Sequence, residues 1–138
     1  MSKLERFGIS VDDGLLRKFD HFIRERSYRN RSEAIRDLMR AALVSEEWSK
    51  KEIIAGGIAY VYNHHKRQLA NQLLDIQHGF HDLIISAQHV HLDHENCFEI
   101  IIVKGKVESV SSLYDQLRAL KGVKFIDIIR ATTGKLLT

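Results

Sequence analysis

The chain contains no proline, one cysteine, and no run of apolar residues as long as a membrane-spanning helix. Its single thiol, Cys97, excludes an intramolecular disulfide, and a reducing compartment keeps that thiol available as a metal ligand. Without an apolar stretch of about 18 residues, or a basic segment followed by an apolar one at the start, nothing marks a membrane span or an export signal. The expected location is the cytoplasm. The missing proline is unusual but points to no function. A length of 138 residues suits one average domain, or two small ones that need support from oligomerisation.

Net charge is small as well, and it lies unevenly. The formal net charge is +3; residues 1–43 hold ten Lys or Arg against seven Asp or Glu, whereas residues 44–138 hold eleven of each. Eight of the eleven arginines fall in the first forty residues, and guanidinium is the side chain best shaped for phosphates and guanine edges. A solvated helix face would carry similar charge, so composition alone leaves nucleic acid and solvent as alternatives.

The alternation in Arg6-Phe7-Gly8-Ile9-Ser10-Val11 predicts a strand, with Phe7, Ile9 and Val11 on one face and Arg6, Gly8 and Ser10 on the other. Asp12 and Asp13 suit a helix start, after which Leu15, Leu16, Phe19, Phe22 and Ile23 recur at helical spacing. A break at Ser27-Tyr28-Arg29 leads into Asn30-Arg31-Ser32-Glu33, a capping box with Asn30 at the cap and Glu33 reaching back. Ala34, Ile35, Leu38, Met39, Ala42 and Leu43 then mark a second helix. A lone strand leaves its backbone groups without partners, and the simplest supplier is a second copy of the same chain. Two such strands, antiparallel, form a ribbon whose Arg6, Gly8 and Ser10 face points outward, and two-stranded ribbons fit the DNA major groove. Residues 3 to about 45 resemble the ribbon-helix-helix family of DNA-binding dimers. The second helix start, at Asn30, Arg31 and Ser32, is placed to hold a phosphate with backbone N–H groups.

Residues 45–54 mix charges of both signs and read as a joint or a frayed helix end, with Gly56-Gly57 as a new start. Beyond it the periodicity predicts a strand over Ile58–Tyr62, a helix over His65–His78, strands over Leu83–His91 and Cys97–Lys104, a helix over Val107–Leu120, and a last strand over Val123–Arg130. This order, βαββαβ, is the ferredoxin-like arrangement. The expected class is therefore α+β, with a βαα unit in residues 1–48 and the βαββαβ module in residues 49–138. Such a sheet has one bare face, which commonly meets a partner, so oligomerisation is expected here too.

Five of the eight histidines, His78, His81, His89, His91 and His94, lie within 17 residues, and Cys97 follows three residues later. Imidazole and thiolate hold borderline divalent metals. On a strand His89 and His91 point to the same face, and the short link Leu92–Asn96 suits a hairpin that sets Cys97 beside them. His78 closes the preceding helix and need not reach the hairpin of its own chain. If hairpins meet across the bare face of two modules, His78 of the partner subunit completes the set. Zinc prefers these donors tetrahedral, while a square-planar version suits Ni(II) or Cu(II), and spacing does not choose between them.

Together with Tyr60-Val61-Tyr62 and His65-Lys66-Arg67, the runs Gln77-His78, His89-Val90-His91 and Cys97 closely resemble the nickel-responsive transcriptional regulators, over almost the whole chain. The resemblance implies an ACT-type regulatory domain and a homotetramer, a dimer of dimers, in which a central core is flanked by two DNA-binding dimers. It also implies one Ni(II) per subunit, bound square-planar by His89, His91 and Cys97 of one subunit and His78 of the partner subunit. DNA-facing positions fall on Arg6, Gly8 and Ser10, where Gly8 departs from the hydroxyl side chain usual in relatives. Nonspecific phosphate contacts are implied for Lys66 and Arg67, and a weaker second cation for Glu33 and Asp37. His64, His81 and His94 are candidates for auxiliary metal contacts.

The expected function is a repressor of nickel uptake or related genes whose operator binding Ni(II) enhances. Alternatives are a similar regulator answering to Zn or Cu, an amino-acid-sensing regulator, a plain DNA-binding dimer, and a zinc-dependent hydrolase. The hydrolase needs a general base, for which Glu95 and Glu99 are the nearby glutamates.

Overall fold

A computed structural model describes residues 2–50, 52–135 and 137, and the chain divides into two compact units, Met1–Leu43 with Leu137–Thr138, and Val44–Leu136. In the first unit the Asp12 carboxylate accepts from the Leu15 amide at 2.8 Å and so caps α1 (Asp13–Glu25). The helix ends in a paired reverse turn: the Ser27 N–H donates to the Arg24 carbonyl at 3.2 Å and the Tyr28 N–H to the Ile23 carbonyl at 3.1 Å. Ser27 takes φ 58°, a left-handed position that favours glycine. α2 (Arg31–Ser49) starts at Asn30, whose side-chain oxygen accepts from the Glu33 amide at 2.9 Å. Glu33 does reach back, but to the Arg29 N–H at 3.1 Å rather than to that of Asn30.

The strand expected over Arg6–Val11 is not formed in the single chain: residues 2–12 take neither helix nor strand. The reason is the one that made a lone strand improbable, since a ladder needs a second strand to accept and donate its backbone hydrogen bonds. Among the described residues of this unit only Ile23 and Ala34 are buried.

The second unit carries β1 (Ile53–Asn63), α3 (Arg67–Gly79), β2 (Ile84–His91), β3 (Asn96–Lys106), α4 (Val107–Arg118) and β4 (Val123–Arg130). The strands form one antiparallel sheet in the order β2-β3-β1-β4, the ferredoxin-like topology. Alternation along β3 buries Cys97, Glu99, Ile101 and Val103 on one face, where Leu69 and Leu73 of α3 and Val110, Leu113 and Leu117 of α4 close the core. Ile102, Phe125 and Ile129 on the opposite face stay exposed.

Of the two readings of residues 45–54, the helix end holds up to Ser49, where α2 stops; its last turns belong to the second unit and pack on that unit's core: the Trp48 indole N–H donates to the Ala131 carbonyl at 2.8 Å, and the Thr132 hydroxyl to the buried Glu47 carboxylate at 2.8 Å. One local expectation is corrected. Gly56 and Gly57 lie inside β1, which begins at Ile53, rather than at its start. A Cβ on Gly56 would meet the Ile129 carbonyl oxygen at 2.8 Å, so glycine marks a close approach of β1 and β4. No helix among the described residues is long and apolar enough to cross a membrane.

Candidate metal centre

The β2–β3 register sets His91 opposite Cys97 and His89 opposite Glu99, so both imidazoles, the thiol and the carboxylate share one face. That face is the helix-covered one. Cys97 joins the core there, while His89 and His91 stand exposed on β2, at the edge of the sheet. The expected meeting of hairpins across the bare face is thereby corrected: a period of two places these donors on the other side of the sheet.

Cys97 Sγ lies 3.3 Å from His91 Nδ1. With bonds of about 2.3 Å to sulfur and 2.0 Å to nitrogen, two donors on one metal sit ~3.0–3.5 Å apart for angles from square to tetrahedral. This pair therefore already spans one edge of a coordination polyhedron. Burial, with the Glu99 charge adding to it, pushes the Cys97 thiol above its ordinary range; a coordinated cation reverses that preference.

The hairpin tip is held by Asp93, whose carboxylate accepts from the Glu95 and Asn96 amides at 2.9 and 2.8 Å and from the Asn96 side chain at 3.0 Å. Those donors, the Asn96 side chain foremost, hold its pKa at about 2. The residues following β1 are stitched to the same tip. The His64 N–H donates to the Glu95 carbonyl at 3.1 Å, and ring Nε2 of both His64 and His65 lies 2.8 Å from the His94 carbonyl. A carbonyl only accepts, so both rings donate from Nε2.

His64 thereby joins His91 and Cys97, one donor atom from each of the three lying within 4.8 Å of the others. His89 stands apart from that group, its ring centroid 5.8 Å from that of His91 and its Nδ1 facing Glu99 Oε2 at 3.9 Å. A residue read from sequence as auxiliary is thus the one gathered with the pair. The signal for it is the β1–β3 register, which pairs Asn63 with Asn96 and brings the next residue beside the hairpin.

Glu99 is buried in a network of its own. The Tyr60 hydroxyl donates to Oε1, and Gln77 Nε2 donates to the same oxygen at 2.7 Å and to the Tyr60 oxygen at 2.9 Å. Burial first, and then the carboxylate, push the Tyr60 hydroxyl far above its ordinary range, which keeps it a donor. Glu99, the hydrolase reading's candidate base, is taken up by β1 and α3. His78 follows Gln77 on the last turn of α3, beside Leu74, His81 and Ile84, and is not gathered with the hairpin donors of its own chain.

The expected DNA-facing residues Arg6, Gly8 and Ser10 are exposed, and a Cβ on Gly8 would meet nothing within 4 Å. The Arg31 guanidinium is held by both Asp20 oxygens at 2.9 Å, leaving Asn30 and Ser32 exposed beside it at the start of α2. Lys66 and Arg67 open α3 and line a hollow with Lys121. Of the expected weak cation pair, Glu33 already accepts from Arg29, and Asp37 from the Tyr28 hydroxyl at 2.8 Å.

Residues 55–131 match the NikR C-terminal nickel binding domain, and residues 5–46 match the ribbon-helix-helix proteins of the copG family. The chain belongs to the NikR family. A protein of Syntrophus aciditrophicus named "Putative nickel-responsive regulator" is 54% identical over 124 residues, which cover 90% of each chain. Another with that name, from Chlorobaculum parvum, is 52% identical over 128 residues, 93% of this chain and 96% of its own. An uncharacterized protein from Thermotoga maritima aligns over 56% of this chain and 96% of its own, with a TM-score of 0.52 at 15% identity, a likeness of fold alone. NikR membership makes the N-terminal unit a ribbon-helix-helix domain and the chain a transcriptional regulator rather than an enzyme.

Proposed function

We propose that this chain is a Ni(II)-responsive repressor of nickel uptake genes, acting in the cytoplasm as a homotetramer on operator DNA. Residues 1–48 serve as the DNA-binding module and residues 49–138 as the ACT-type module for metal binding and tetramer formation. One Ni(II) per subunit is held by His89, His91 and Cys97 with His78 of the partner subunit. The observation that carries this reading is the β2–β3 register, which puts both histidines on the face of Cys97.

Bound there, Ni(II) supplies a positive charge that keeps the thiol deprotonated and fixes its donors relative to one another. The chain's own residues prepare the rest. Glu99, facing His89 Nδ1, can take that ring's proton as a hydrogen-bond acceptor and so leave Nε2 as the donor atom. Gln77 ties the same carboxylate to α3, one residue before His78. A donor set divided between two chains favours the arrangement that brings them together, and an ion shifts a conformational balance only by such a preference. On DNA, Arg6, Gly8 and Ser10 face base edges, the amides at Asn30, Arg31 and Ser32 hold a phosphate, and Lys66 and Arg67 add phosphate contacts. Glu33 and Asp37 offer the weaker cation position.

Operator binding titrated with Ni(II), Zn(II) and Cu(II), for the native protein and Cys97→Ala, tests the reading. The expected result is nickel-enhanced binding that the variant loses. Equal operator affinity with and without nickel would overturn it.

A further inference from the structure

We propose that Asp20 is a positioning residue for operator binding: it grips Arg31 and so sets the first turn of α2, with its outward amides, toward a DNA phosphate, the Arg31 guanidinium serving as a strut rather than as a phosphate contact. The proposal rests on the reading above in that the start of α2 meets the operator backbone. Arg31 Nε donates to Asp20 Oδ1 and Nη2 to Oδ2, both at 2.9 Å, a two-bond fork between α1 and α2. Those bonds hold the Asp20 carboxyl below its ordinary range, so the pair is charged at neutral pH.

The fork matters because little else within the chain sets the angle between these two helices. Among the described residues the unit buries only Ile23 and Ala34, and these stand three positions on from Asp20 and Arg31, so the fork borders that small patch. The connecting turn is braced by the Tyr28 hydroxyl on Asp37 at 2.8 Å, while the fork holds the start of the helix itself. At that start the Glu33 amide is spent on the Asn30 side chain at 2.9 Å and the Ala34 amide on the Asn30 carbonyl at 3.4 Å. Arg31 and Ser32, both exposed, carry the amides left for an anion. A phosphate there is gripped by N–H groups whose aim depends on the tilt of α2. The guanidinium, its charge already met by a carboxylate in contact, adds little further attraction.

The experiment uses the nickel-loaded full-length protein, its Asp20→Asn and Asp20→Glu variants, and the charge-neutral double variant Asp20→Ala with Arg31→Ala. Affinity for a duplex selected from a random pool by the native protein is measured over a range of salt concentrations, and circular dichroism checks that each variant is folded. The double variant is expected to bind at least about fivefold more weakly with its salt slope unchanged, because a charged fork is lost and no phosphate contact is. Asp20→Asn should weaken binding too, and Asp20→Glu, which still reaches Arg31, should stay within about twofold of native. A slope shallower by ~0.9 per subunit in the double variant, or tighter binding by Asp20→Asn, would make Arg31 a phosphate contact and overturn the proposal. So would native affinity in a double variant whose only defect is a lower unfolding midpoint, which is a structural role alone. A native protein that selects no duplex would sink the operator reading and this proposal with it. Native binding that ignores nickel would sink the nickel reading and leave this one standing, since each variant is compared with native protein at the same metal load.

Discussion

In the C-terminal unit Ile58, Ile101, Leu113 and Leu117 are fully buried, whereas in the N-terminal unit Leu4, Phe7, Ile9 and Leu15 expose 80%, 68%, 62% and 55% of their surface. Both units are amphipathic in sequence. What separates them is whether the chain provides the opposite layer: βαββαβ lays two helices on its own sheet, while the N-terminal unit has one segment patterned as a strand and nothing to pair it with. Periodicity names the face to be buried without saying whose residues will bury it. For the first unit, the exposed Phe7, Ile9 and Val11 face and residues 2–12 without helix or strand leave one layer unfilled; on the proposed reading, a second ribbon-helix-helix copy fills it.

The sharpest way to break that contrast is to cut a cavity in the self-sufficient core. Leu113→Ala should cost about 3–4 kcal/mol in urea unfolding of the C-terminal unit. If the N-terminal unit's transition moved by the same amount, the two would not be separate bodies. Ile9→Asp is the converse. It should leave the C-terminal unfolding midpoint in place and cut operator affinity by about a hundredfold or more, towards nonspecific binding; a melting change like that of Leu113→Ala would mean Ile9 is buried within its own chain. Ser27→Gly, which relieves a left-handed serine, should raise the N-terminal unit's stability by about 1 kcal/mol in the same unfolding assay and leave the C-terminal unit unmoved.

The smallest effect concerns the hairpin tip. The Asp93 pKa is depressed in the fold, so its hydrogen bonds contribute fully above the unfolded carboxyl value of about 3.9 and are lost as pH falls through about 2. A side-chain NMR titration of Asp93 should show its midpoint near that lower value, and an ordinary midpoint would mean the tip is not held as described.

Much of the C-terminal fold was legible because its elements repeat with one period each, and the last strand, Val123–Arg130, follows a recognisable breaker, Gly122, which sits at φ 99°. The joint was legible only as an alternative, since the mixed charges of Glu46 and Lys50 suit a joint as well as a helix end until the long-range bond from Trp48 to Ala131 fixes the latter. Glycine misled in the same region: Gly56 permits contact with β4, a relation between residues more than seventy apart in sequence. In the site, the common face of His89, His91 and Cys97 follows from strand alternation and could be read directly. The position of His64 could not, because it depends on how β1 and β3 align rather than on spacing inside the histidine cluster. Glu99 was weighed as a base because its burial beneath Tyr60 and Gln77 is a tertiary fact.

Trp48, the only tryptophan in the chain, has its indole N–H on the Ala131 carbonyl and the Arg130 guanidinium 5.7 Å from its ring. Its fluorescence is therefore an optical gauge installed by the fold at the root of the connecting helix. Should the indole exchange that carbonyl for water, the emission would shift to the red, and the movement could be timed with no label added.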